Sequence, residues 1–70
     1  MKSLIVNGSA RHYEQEKLPA MLKDLLAELN IEAATVVAEI DGEIIARQQF
    51  DQTKLRDGQK IELIRFMGGG

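Results

Sequence analysis

Apolar positions recur along this chain at two spacings, and the points where the spacing changes divide it into elements. Lys2 to Val6 is a short β-rich run stopped by Asn7-Gly8, a pair whose members both tolerate the positive φ of a tight hairpin turn. The returning strand covers about Ala10 to Tyr13, and Glu14 to Lys17 is a polar connection. Leu18, Met21, Leu22, Leu25, Leu26 and Leu29 then fall at i, i+3, i+4, i+7, i+8 and i+11, the spacing of one helical face. Lys23, Asp24 and Glu28 take the opposite side. Pro19 suits a first turn, where its missing N–H costs nothing, and Asn30 accepts the left-handed conformation that ends a helix. One amphipathic helix is therefore predicted over Pro19 to Leu29.

Beyond Asn30 the strand pattern returns. Thr35 to Ile40 is β-branched and apolar, Asp41-Gly42 is a second hairpin turn, and Glu43 to Ala46 runs back. Arg47 to Leu55 is mixed and polar except for Phe50 and Leu55, which read as anchors pinning an irregular connection onto the core. Asp57-Gly58 makes a third turn, and Lys60 to Met67 forms the last strand, running into Gly68-Gly69-Gly70. The order is hairpin, helix, hairpin, final strand. Its compact solution is an α+β fold, a mixed sheet of about five strands with one main helix packed on one face. Parallel pairing of the first and last strands at the sheet centre makes this the β-grasp (ubiquitin-like) arrangement. Residues 1–67 are then the domain and residues 68–70 a flexible glycine tail.

The last strand cannot turn both of its apolar sets toward one helix. If Ile61 and Leu63 face the helix, alternation puts Ile64 and Phe66 on the open face beside the tail. An apolar patch in that position marks a partner surface, with Ile64, Phe66 and Met67 as candidate docking residues and Lys60 and Arg65 as flanking polar contacts. The tail itself has no β-carbon to obstruct a narrow channel, and three extended residues reach about 10 Å. Chemistry at the Gly70 carboxylate requires activation by a separate enzyme, for instance as a mixed anhydride with a nucleotide.

Composition removes most other functions. Seventy residues allow one small core, and with no cysteine that core is carried by aliphatic side chains without disulfides or thiolate metal sites. Eleven acidic against nine basic residues, interspersed and with only three aromatics, argue against nucleic acid. No apolar run approaches the roughly 20 residues of a membrane span, and no basic start precedes an apolar stretch, so a cytoplasmic monomer is expected. His12 is the sole histidine. With Glu14 and Glu16 only loosely beside it, it makes a weak metal signal. Ser3, Ser9, Thr35 and Thr53 have no base near them in sequence, and Gly8, Gly42 and Gly58 are turn glycines rather than a phosphate loop. Neither a catalytic residue nor a metal site is expected within the chain.

From Val36 onward, Ala38, Asp41-Gly42-Glu43-Ile44-Ile45, Arg47, Phe50, Leu55-Arg56-Asp57-Gly58-Gln59, Ile61-Glu62-Leu63 and Gly68-Gly69-Gly70 resemble the ThiS sulfur carriers of thiamine biosynthesis. The short length, the opening strand ending in Asn7-Gly8 and the leucine-rich helix extend the resemblance over essentially the whole chain. Phe50 stands where many relatives have tryptophan. The resemblance implies a carrier rather than an enzyme, with no permanently bound cofactor. Its Gly70 carboxylate, reached along Gly68 and Gly69, is adenylated by a ubiquitin-activating-type (ThiF-like) adenylyltransferase that uses ATP. Sulfur drawn from cysteine by a desulfurase then gives a thiocarboxylate, which serves a ThiG-like thiazole synthase. The small subunit of molybdopterin synthase has the same implied fold and glycine terminus and is the alternative, followed by a ubiquitin-like protein modifier.

Overall fold

A computed structural model of the chain describes residues 1–66. Five strands, β1 (Lys2–Val6), β2 (Ser9–Tyr13), β3 (Val36–Ile40), β4 (Glu43–Ile45) and β5 (Lys60–Arg65), form one sheet in the order β2-β1-β5-β3-β4. Both hairpins are antiparallel, β3 and β5 are antiparallel, and β1 and β5 are parallel with Val6 opposite Ile61. The first and last strands therefore pair in parallel, with β5 at the sheet centre, as expected of a β-grasp. The helix α1 (Leu22–Glu28) packs Leu22, Leu25 and Leu26 against one face.

The hairpin turns follow from their residues. Asn7 and Gly8 have φ of 50° and 82°, and Asp41 and Gly42 have φ of 50° and 86°. Positive φ at both central positions is what a two-residue type I′ turn requires, and Asn, Asp and Gly adopt it at least cost. Beneath the helix lie Leu4, Val6, Val36, Ala38, Ile40, Ile61 and Leu63, alternate residues on the inner face of three strands. Phe50 and Leu55 are buried as the anchors they were expected to be. Full burial of each large aliphatic side chain stabilises by about 1.5–3 kcal/mol. With no polar residue buried among those described, this apolar layer holds the domain together.

The helix is shorter than its periodicity predicts. It begins at Leu22 rather than Pro19, because the residues before it are engaged elsewhere. Leu55 N–H donates to the Ala20 carbonyl, Met21 bridges to Lys54, and the Leu22 and Lys23 N–H groups donate to the carbonyls of Thr53 and Phe50. The connection thus caps the helix start, assisted by Asp24, whose carboxylate accepts the Met21 N–H at 3.0 Å. At the other end Asn30, at φ 59°, donates to Ala27, and Ile31 donates to Leu26. This is the paired-bond Schellman ending. Strand limits also shift. Ser9 joins β2, Thr35 lies in a 3₁₀ turn (Ala33–Thr35), Ala46 lies outside β4, and β5 ends at Arg65. Since β3 starts only at Val36, the ladder beyond Arg65 reduces to Phe66 N–H donating to the Thr35 carbonyl at 3.0 Å. The expected domain limit at residue 67 lies outside the described residues.

Candidate functional site

The strand that leads into the glycine run is held along its length by turn residues. On one side Ser3 N–H donates to the Asp57 carboxylate at 2.7 Å, and Gly58 N–H donates to the Ser3 carbonyl at 2.7 Å. Ile5 and Asn7 N–H groups donate to Gln59 and Ile61 carbonyls, both at 2.9 Å. Where β1 stops, the Asn7 side-chain oxygen takes its place and accepts the Leu63 N–H at 2.8 Å. On the other side the Asp41 carboxylate accepts the Lys60 N–H at 2.9 Å. The two residues that make the hairpin turns therefore also fix β5, and through it the residues next to the tail.

Alternation along β5 separates its faces as the sequence predicts. Ile61 and Leu63 are buried under the helix, whereas Ile64 is 53% and Phe66 44% exposed on the open face. The structure adds two residues that sequence reading does not single out. Val37 lies directly opposite Ile64 in the β3–β5 ladder, and Ile44 on β4 lies opposite Glu39; both are exposed. The signal for Val37 was present in the alternation of Val36, Ala38 and Ile40, but two adjacent valines conceal which face each takes. Lys60 lies on the open face, opposite Ile5. Arg65 pairs with Val36 and so belongs to the helix side of the sheet, a correction to its expected place beside Ile64 and Phe66. Met67, Gly68, Gly69 and Gly70 lie outside the described residues.

Among the described residues, the open face brings no nucleophile together with a base. His12 is exposed on the edge strand β2, opposite Ser3. Thr35 and Thr53 hydroxyls donate to the backbone carbonyls of Glu32 and Gln49. The described residues enclose no pocket and gather no group of three metal-ligating side chains. The one ion pair among them, Arg11–Glu28 at 2.8 Å, ties β2 to the helix on the other side of the sheet. Tyr13 O–H donates to the same Glu28 oxygen at 2.6 Å. Burial pushes the Glu28 carboxyl up, but the hydrogen bonds from Tyr13 and Arg11 outweigh it and hold the group below its ordinary value. Burial and the bond to Glu28 push the Tyr13 hydroxyl up. This cluster is structural, far in topology from β4 and the patch.

A mixed sheet of order β2-β1-β5-β3-β4 under one helix, whose central last strand leads into three glycines, defines a ubiquitin-like β-grasp protein with a glycine terminus. Comparison with known proteins narrows the class. The chain belongs to the ThiS family, whose sequence model matches residues 4–70. The sulfur carrier protein ThiS of Bacillus subtilis is 37% identical over 67 residues, which cover 96% of this chain and 98% of that one. A thiazole synthase of Paramagnetospirillum magneticum is 31% identical over 67 residues; here the match covers 96% of this chain but only 20% of that protein. The crystal structure of a thiamine biosynthesis protein (ThiS) from Geobacter metallireducens superposes with a TM-score of 0.79 at 34% identity, covering 97% of this chain and 99% of that one. A solution structure from the same organism gives 0.74 at 36% identity, covering 97% and 87%.

Proposed function

We propose that this chain is a sulfur carrier of thiamine biosynthesis that works through the carboxylate of Gly70. The observation that carries this reading is the family match from residue 4 to residue 70, which takes in the glycine run as well as the domain. A carboxylate is a poor electrophile, so an adenylyltransferase of the ubiquitin-activating type transfers the AMP portion of ATP to it and releases pyrophosphate. A persulfide charged by a cysteine desulfurase then displaces AMP through its terminal sulfur, giving an acyl disulfide, and a thiol cleaves the S–S bond, leaving the C-terminal thiocarboxylate and a disulfide. This chain supplies the carboxylate and a thread, Gly68 and Gly69, with no β-carbon to obstruct a channel. ATP and the catalytic groups belong to the partner, and no cofactor stays on the carrier.

The recipient is a thiazole synthase. A protein of that name containing a segment 31% identical to this chain supports the pairing, because a donor and its acceptor gain effective concentration when they share one polypeptide. Ile64, Phe66 and Met67 are the docking residues in this reading, and the exposure of Ile64 and Phe66 on the open face supports it. The solved structures matched are named for thiamine biosynthesis and the Bacillus subtilis relative for sulfur carriage, which favours this pathway over molybdopterin synthase or protein modification. The test is ATP–pyrophosphate exchange by a ThiF-like enzyme in the presence of the chain. The parent chain supports exchange, and a chain lacking Gly70, or carrying one added residue after it, does not while keeping its fold. Undiminished exchange by the shortened chain would contradict the role of Gly70.

A further inference from the structure

The open face carries a charge feature that carrier chemistry alone does not explain. Across β4, β3 and β5 runs a row of Ile44, Glu39 and Glu62, each directly opposite the next. Beside it lies the row of Val37 and Ile64, and the chain continues from Ile64 through Phe66 toward the tail. Like charges directly opposite on neighbouring strands destabilise a sheet. Neither carboxylate has a cation within ion-pair distance, because the one ion pair among the described residues is Arg11–Glu28. Lys60 lies two residues from Glu62 along β5, opposite Ile5. The third acid nearby, Asp41, uses its carboxylate to accept the Lys60 N–H. The centre of the face is thus two unneutralised carboxylates bordered by Val37, Ile44 and Ile64, of which Ile44 is 70% exposed.

We infer that Glu39 and Glu62 are a specificity-determining pair for docking the adenylating enzyme, which places an arginine or lysine against them and covers Val37, Ile44 and Ile64 with apolar side chains. This deepens, and rests on, the carrier reading above. Covalent continuity from Ile64 to the tail means that an enzyme drawing in Gly70 must lie over this end of the sheet. Charge complementarity then selects the chemistry of its surface. A cation brought between the two carboxylates converts a repulsion within the free carrier into an attraction in the complex, and a negative patch also speeds encounter with a basic one. The repulsion is a cost borne by the free domain and relieved on docking.

The decisive variant is Glu39→Gln/Glu62→Gln, compared with the parent chain for binding to the adenylating enzyme by calorimetry at low and high salt. Glutamine keeps the shape and removes the repulsion, so thermal stability should be equal or higher. Affinity at low salt should fall on the order of tenfold, and its dependence on salt should flatten. Ile64→Ala should weaken binding while keeping the parent's salt dependence. Equal or tighter binding by the double glutamine variant, with an unchanged salt slope, overturns the pairing. If that variant also still acquires sulfur, the carrier reading stands alone. If the parent chain is neither bound nor adenylated, both readings fall.

Discussion

Glu28 shows how one surface group can tie two elements together. Its carboxylate receives both the Arg11 guanidinium at 2.8 Å and the Tyr13 hydroxyl at 2.6 Å, joining the end of the helix to the edge strand β2. Together these bonds hold its protonation below the ordinary range. A carboxyl with a depressed folded value contributes stability that is fully present above its unfolded value and is lost as pH falls through the folded one. The parent chain should therefore melt higher than Glu28→Gln at neutral pH, with the gap closing below about pH 4.3, the ordinary range for glutamate. Both groups are more than a third or close to a third exposed, at 39% and 34%, so the gap is a few degrees at most. Melting curves of the two proteins from neutral to acid pH check this, and a gap independent of pH contradicts it. Asn7 is a second residue with two tasks: it turns the first hairpin, and its side chain caps Leu63. Only the first task is legible in the sequence, because the second depends on a residue 56 positions away.

At the scale of elements, what could be read in advance was whatever is specified locally. The turns Asn7-Gly8, Asp41-Gly42 and Asp57-Gly58 each combine a short polar residue with glycine, and all three lie where they were expected, with Gly58 at φ 86°. The faces of β5 followed from alternation. The helix start did not, since Leu18 and Met21 continue the helical spacing although the backbone from Ala20 to Leu22 is paired with residues 53–55. Spacing reports which side chains are apolar, not where their N–H groups go. Val37 and Ile44 were hidden for a related reason: each stands beside a second valine or isoleucine, so apolarity by itself does not show which of the two faces the core. The connection from Arg47 to Leu55 is accordingly part of the helix cap, and Phe50, 3% exposed, is the wedge that holds it there. Phe50→Ala should cost about 3–5 kcal/mol. Urea denaturation would show a large drop in midpoint or loss of a cooperative transition. A midpoint within experimental error of the parent's would show that the segment holds without its anchor.

For the whole molecule, the central β5 connects fold to function. Its inner residues Ile61 and Leu63 belong to the core, its outer residues Glu62 and Ile64 to the open face, and its end leads to the tail. The parallel pairing that centres it joins Ile5 to Lys60 across nearly the full chain, a contact no local pattern encodes; it was inferred from the order of elements and from the family resemblance. Under the proposed function, the chemistry is brought to the carrier by its partners. The most direct test is the intact mass of the chain after incubation with its adenylating enzyme, ATP and a sulfur source, beside a chain lacking Gly70. A mass gain equal to sulfur replacing one oxygen, in the full chain only, is the predicted result. No gain, with the enzyme active on another carrier, would contradict the assignment of this chain as a sulfur carrier.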